Sequence, residues 1–224
     1  MIARLAIGAV AALGFAAGAS AQDAHDHAGH DHDHTPPAPK GEAPSHVFTE
    51  APEDHAVGAE DAPHTLIVYA SNTCPHCRSW FTEEYPVVKS ELIDTGKLRL
   101  VYRPIPTAPA QLSMIGFMIA SCAGEDADYL DNILYQYERQ SIIFEKAQTG
   151  GLQEEYRGIA RRAGLADDAA MDTCLRTQDN LDAIHLAGRR ANHGRVAGIP
   201  SFVFDGEGVG TKETAASLAK RVDK

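Results

Sequence analysis

Basic residues are scarce in this chain. Twenty lysines and arginines stand against 31 aspartates and glutamates, a formal net charge of −11 over 224 residues. A surface of that sign argues against nucleic acid or an anionic membrane as a partner, because both are bound through cationic patches. Long apolar runs are missing as well. The run from Leu5 to Gly18 falls short of the about 20 residues that a comfortable transmembrane helix needs. No internal repeat is visible, which excludes solenoids and propellers. There are four cysteines, and one pair has Cys-x-x-Cys spacing. A structural zinc site commonly takes two such pairs, so that reading lacks its second half.

The apolar run carries the marks of a secretory signal instead. Arg4 gives a basic start and Ala19-Ser20-Ala21 the small-residue cleavage pattern, with Gln22 as the expected mature N-terminus. An uncleaved anchor is the second reading. No cysteine follows the cleavage pattern, so lipid attachment is not expected there. With residues 1–21 read as a signal peptide, the chain is exported, and outside the cytosol disulfides form and persist.

Residues 22–45 hold Asp, His, Ala, Pro and Gly with little to bury, and read as a disordered linker. His25, His27, His30, His32 and His34 lie there among carboxylates, a composition able to bind copper or zinc weakly. A solvated tail without a specific role is the other reading. Pro36, Pro37 and Pro39 stiffen the junction to the folded part.

The chemistry concentrates at Cys74-Pro75-His76-Cys77, between the apolar run Leu66–Tyr69 and an amphipathic stretch beginning near Ser79. Pro75 suits the first position of a helix, where its missing N–H would have had no partner. Cys74 then sits at the helix N-terminus, whose free N–H groups and dipole favour a thiolate. Cys77 is one turn further on and can close a disulfide with it. A Cys-x-x-Cys that follows a strand and opens a helix reads as a redox pair of the thioredoxin kind. A purely structural 74–77 disulfide is the weaker alternative, since so small a loop removes little unfolded-state entropy.

The remaining pattern supplies a frame. An edge strand is expected at His46–Thr49 and a buried strand at His64–Ala70. A helix to about Ile93 is interrupted at Pro86, and a strand follows at Lys97–Tyr102. A right-handed crossover makes the last two strands parallel. Helices follow at Gln111–Ala123, Tyr129–Gln140, Leu152–Ala163, Asp167–Arg176 and Gln178–Ala191. A hairpin turns at Asp205-Gly206, and a final helix at about Lys212–Val222 is capped by Thr211. The order β–α–β, helical block, β–β–α predicts an α/β thioredoxin-like fold with an inserted all-helical domain. The first thioredoxin-like part covers 46–107, the insertion 108–194 and the second part 195–224.

Cys74-Pro-His-Cys77, the strand at Leu98–Tyr102 running into Pro104-Ile-Pro106, the insertion and Gly198-Ile-Pro-Ser-Phe202 together resemble the DsbA family of periplasmic thiol oxidoreductases. The resemblance covers roughly His55 to Lys224. It implies Cys74 as nucleophile, Cys77 as resolving thiol, and His76 and Pro75 as tuning groups, with an exposed histidine of no electronic role as the alternative for His76. It also implies a cis Pro200, with the Ile199 backbone offered to a bound substrate. Val68 stands where related proteins carry a buried acid. In an oxidising compartment Cys122 and Cys174 are expected to form a structural disulfide, as in related members; two separate buried thiols are the other reading.

The function implied is donation of disulfides to exported proteins with free thiols, with no cofactor required. Re-oxidation falls to a membrane partner resembling DsbB, and the protein is expected to be a monomer. A reductase or isomerase on the same fold, and a metal-handling protein using its histidine tail, are the alternatives.

Overall fold

The computed structural model describes residues 44–224. Residues 1–21, read as a signal peptide, and the histidine-rich stretch therefore lie outside the described residues. Two apolar runs build the centre of the sheet. In β2 (His64–Ala70) and β3 (Leu98–Pro104) side chains alternate between the two faces. Leu66, Val68, Ala70, Leu98, Leu100 and Tyr102 enter the main core. Ile67, Tyr69 and Val101 enter a smaller one on the opposite face, with Ala191 and Val203.

The strand order is β1-β3-β2-β4-β5. β2 and β3 are parallel, as the crossover between them requires. β1 (His55–Val57) lies antiparallel to β3 at one edge. β4 (Ser201–Phe204) and β5 (Glu207–Gly210) form the antiparallel hairpin at the other. Asp205 and Gly206 both have positive φ, 48° and 84°, which suits the twist of a two-residue hairpin turn.

The crossover consists of α1 (Pro75–Glu83), α2 (Tyr85–Val88) and a wider π-type turn at Lys89–Ile93. Pro86 has no N–H to give to the preceding turn, and the helix breaks just before it. Between β3 and β4 run α3 (Ala110–Ala120), α4 (Asp126–Thr149), α5 (Leu152–Arg162), α6 (Asp168–Cys174) and α7 (Gln178–His193). Part of this block has its own core of Leu112, Ile119, Ile143, Tyr156 and Ile159. Cys122, just after α3, is disulfide-bonded to Cys174 at the end of α6, with Cα atoms 6.1 Å apart. The last helix is α8 (Ala215–Val222).

Three sequence expectations are corrected. No strand forms at His46–Thr49. His46 takes φ of 59°, and the carbonyls of Val47 and Thr49 accept from the Arg103 guanidinium instead of a neighbouring strand. The edge strand is β1, further along. α4 extends well beyond Tyr129–Gln140, because Ile143 and Phe144 pack into the second core, and it stops only at Gly150 and Gly151, both at positive φ. Finally, α8 is capped by Thr214 and not Thr211. Thr214 Oγ1 accepts from the Ser217 N–H at 3.1 Å and Ser217 Oγ accepts from the Thr214 N–H at 2.8 Å, a reciprocal capping box.

Candidate active site

Cys74 ends the loop that leaves β2 and serves as the N-cap of α1, with Pro75 in the first turn. Its N–H donates to the Ser71 carbonyl at 3.0 Å, and its own carbonyl accepts from the Arg78 N–H at 3.0 Å. The chain thus turns sharply into the helix and leaves the Cys74 sulfur half-buried beside the open N-terminus. Cys77, one turn later, points inward and is fully buried. Both thiols are free.

The environments drive the two sulfurs apart. The Cys74 thiol is lowered to about 6, first by the hydrogen bond it accepts from Cys77, then, against the cost of burial, by the backbone N–H groups of Cys77 and His76 and last by the His76 charge. Burial pushes the Cys77 thiol far up, and its donation to Cys74 adds to that. His76 is exposed. The neighbouring thiol and the helix N–H groups outrank its charge.

This contrast has a measurable consequence. An unfolded thiol titrates near 8.5, above the folded value of about 6. Thiolate stabilisation is therefore fully present above the unfolded value and is lost as pH falls through the folded one. Reduced protein should lose about 1 kcal/mol of unfolding free energy relative to oxidised protein between about pH 7 and pH 5, after allowance for screening at a half-exposed sulfur. Urea titrations of both forms at the two pH values check this; a constant difference would show that Cys74 is not acidified.

The loop before β4 closes over the pair. The Ile199–Pro200 peptide bond is cis, and the Ile199 carbonyl lies 3.7 Å from Cys74 Sγ, within reach of a weak S–H donor. Next to it opens a groove of about 420 Å³ lined by His76, Trp80, Glu83, Ile199, Pro200 and Lys212 among others. Trp80 forms part of its wall, held by donation from its indole N–H to the Glu213 carbonyl at 2.7 Å. Val68, six residues before Cys74, is buried in the main core.

Residues 50–224 match the family model described as Thioredoxin. The chain belongs to the thioredoxin family. Within it, the sheet with a helical block between β3 and β4 is the DsbA form of the thioredoxin fold. A Rickettsia bellii protein, provisionally named a protein-disulfide oxidoreductase, is 26% identical over 185 residues, 76% of this chain and 65% of the relative. The chain thus spans less than two thirds of that relative's length. Among solved structures, Wolbachia pipientis alpha-DsbA1 superposes with a TM-score of 0.68 at 22% identity, over 78% of this chain and 91% of that one. Chlamydia trachomatis DsbA gives 0.63 at 16% identity, over 83% and 95%.

The thioredoxin-family frame brings Cys74, Pro75, His76, Cys77, Ile199 and Pro200 to one end of the sheet. Cys122 and Cys174 form a separate bond in the helical block. His25, His27, His30, His32 and His34 lie outside the described residues. Sequence reading missed the buried polar groups around the loop before Cys74. Ser71, Thr73 and Thr107 hydroxyls lie within 2.9–3.1 Å of one another, and Asn72 is gripped by Gln136 and Gln140. A signal was available for the last two: Asn132, Gln136 and Gln140 recur every fourth residue, which places them on one stripe of a helix.

Proposed function

We propose that this protein is an exported thiol:disulfide oxidoreductase that donates disulfides to substrate proteins. The observation that carries the reading is the pairing of a half-exposed, acidified Cys74 with a buried, strongly protonated Cys77 next to the cis-proline loop. A substrate thiolate attacks Cys74 Sγ of the 74–77 disulfide; the new S–S bond forms as the old one breaks, and Cys77 departs with the electron pair and takes up a proton. A second substrate thiolate then attacks its partner sulfur in the mixed disulfide and expels the Cys74 thiolate, a good leaving group because of its low pKa. The substrate has lost two electrons and the enzyme pair has gained them. A DsbB-like membrane protein is the re-oxidant we assign by family analogy.

The groove beside Pro200 suits an extended peptide, with the half-buried Ile199 backbone at its edge for strand-like pairing. The residue 1–21 segment and the DsbA-type fold support a periplasmic location, and the histidine tail is proposed as a weak copper or zinc ligand separate from the exchange site. Oxidation is favoured over reduction because a stabilised Cys74 thiolate stabilises the reduced enzyme.

Replacing Cys77 with alanine removes the group that releases Cys74 from mixed disulfides. The variant should accumulate covalent complexes with exported proteins, linked through Cys74 and released by reductant, as read on non-reducing gels with mass spectrometry. Complexes that persist when Cys74 is also replaced would sink the assignment.

A further inference from the structure

The loop before Cys74 is held from behind by a line of buried amides. Asn72, Asn132, Gln136 and Gln140 are each under 5% exposed. Asn72 Nδ2 donates to Gln136 Oε1 at 2.7 Å and to the Ser113 carbonyl at 3.3 Å. Gln136 Nε2 donates onward to Asn132 Oδ1 and to the Gly116 carbonyl, both at 2.9 Å. Asn132 Nδ2 donates to the Ile159 carbonyl at 3.2 Å. Gln140 Nε2 meets the Asn72 carbonyl at 2.9 Å. Residue 72 is therefore fixed through its side chain and its backbone by two residues one turn apart on α4.

Burying amides is costly unless they are paired, and an apolar stripe would pack α4 onto the sheet without that penalty. Gly116 shows that the helix opposite is shaped around this pair. A Cβ at 116 would overlap both Gln136 Oε1 and Asn72 Nδ2, and glycine in the middle of a helix is itself destabilising. Adjacent to Asn72, the Ser71 N–H points at Cys77 Sγ, 3.5 Å away, the distance of a hydrogen bond to sulfur.

We propose that Asn72 and Gln136 are positioning residues for disulfide exchange, holding the Ser71 N–H against the Cys77 sulfur so that the departing thiolate meets a fixed donor. This rests on the reading of Cys74–Cys77 as the exchanging pair. In the first step the incoming thiolate bonds to Cys74, the 74–77 bond breaks, and the electron pair goes to Cys77 Sγ. That sulfur is buried, so little solvent is available to stabilise it. An N–H already in place stabilises the developing charge without reorganisation. The role is confined to the charged moment of the step and differs from simply packing α4.

The test follows opening of the oxidised full-length protein by dithiothreitol, read by maleimide labelling of the freed thiols, in wild type, Asn72→Ala, Gln136→Leu and the double variant. Each single change should slow opening about tenfold, the scale of one hydrogen bond to a charged group. The double variant should be no slower than either single one, because the pair acts as a unit. Gly116→Ala, which alters neither amide, should give a similar loss by pushing the pair apart. The Cys74 titration, followed by thiolate absorbance, should stay in place. If a single variant leaves a buried amide unpaired and does not fold, the double variant, with both partners gone, carries the measurement. Wild-type opening rates in folded variants, with only urea stability reduced, would overturn the proposal and leave the pair a packing feature. A wild-type protein that does not exchange at Cys74–Cys77 at all would instead refute the underlying function.

Discussion

Replacing Asp54 with alanine should cost the fold about 3–5 kcal/mol, the scale for removing one side of a buried ion pair. Asp54 and Arg103 are 4% and 0% exposed and meet at 2.7 Å. The Arg103 Nε also donates to both Asp54 oxygens, at 3.0 and 3.2 Å. The other guanidinium donors are taken by the Val47 carbonyl at 2.9 Å, the Thr49 carbonyl at 2.6 Å and the Tyr69 hydroxyl at 2.8 Å. With Asp54 gone, the cation remains under the sheet with no carboxylate to balance it. Arg190, within 3.7 Å of the same carboxylate, adds a second positive charge to the vacated place. A double change, Asp54→Leu with Arg103→Met, should recover most of the loss, since apolar replacements of buried pairs are often neutral. Urea unfolding curves decide it; a single-variant loss below about 1 kcal/mol would mean the pair is more hydrated than its exposure indicates.

Removing the Cys122–Cys174 disulfide should be nearly as damaging, and without effect on the Cys74–Cys77 pair. The bond spans 52 residues, and the chain-entropy relation gives about 4 kcal/mol for a loop of that size. It ties the turn after α3 to the end of α6, while Cys74 and Cys77 sit on α1 at the end of the sheet. The double alanine variant should therefore unfold at clearly lower urea yet still react with maleimide at Cys74 as wild type does. Equal urea midpoints would show that the bond does not stabilise the fold by restricting the unfolded chain. A changed Cys74 reactivity would connect the helical block to the exchange site.

The parts of this fold that could be read from the sequence are those where one residue type has one physical use. Proline after Cys74 suits the opening of a helix, Asp205-Gly206 suits a turn with positive φ, and the apolar run at 66–70 with the largely apolar stretch at 98–102 points to a buried sheet. The misreadings occurred where a distant partner decided the outcome. Val47 and Phe48 look like strand residues, but Arg103, more than 50 residues away, claims the carbonyls that a strand would use. The last two turns of α4 are polar at many positions and are helical because Ile143 and Phe144 meet α3 and α5. At the site, the two cysteines and their order were legible from spacing alone. The largest source of the Cys74 acidity was not, because it is the hydrogen bond from the Cys77 thiol, which depends on how the two side chains turn. Nor was Asn72, whose meaning depends on a contact with Gln136 across 64 residues.

The arginines under the sheet also decide where this polypeptide can be cut. Arg190 holds the Ser45 carbonyl at 2.8 Å and Glu53 at 2.6 Å, while Arg103 holds Val47, Thr49 and Asp54. Loss of the segment up to Thr49 strips oxygen partners from two buried cations in one event. Removal of everything before Ser45 touches none of these bonds. The energetic edge of the domain thus lies ahead of residue 50, where the family likeness begins. A protease working inward from residue 44 meets the arginine contacts well before it reaches the helix that carries the cysteines.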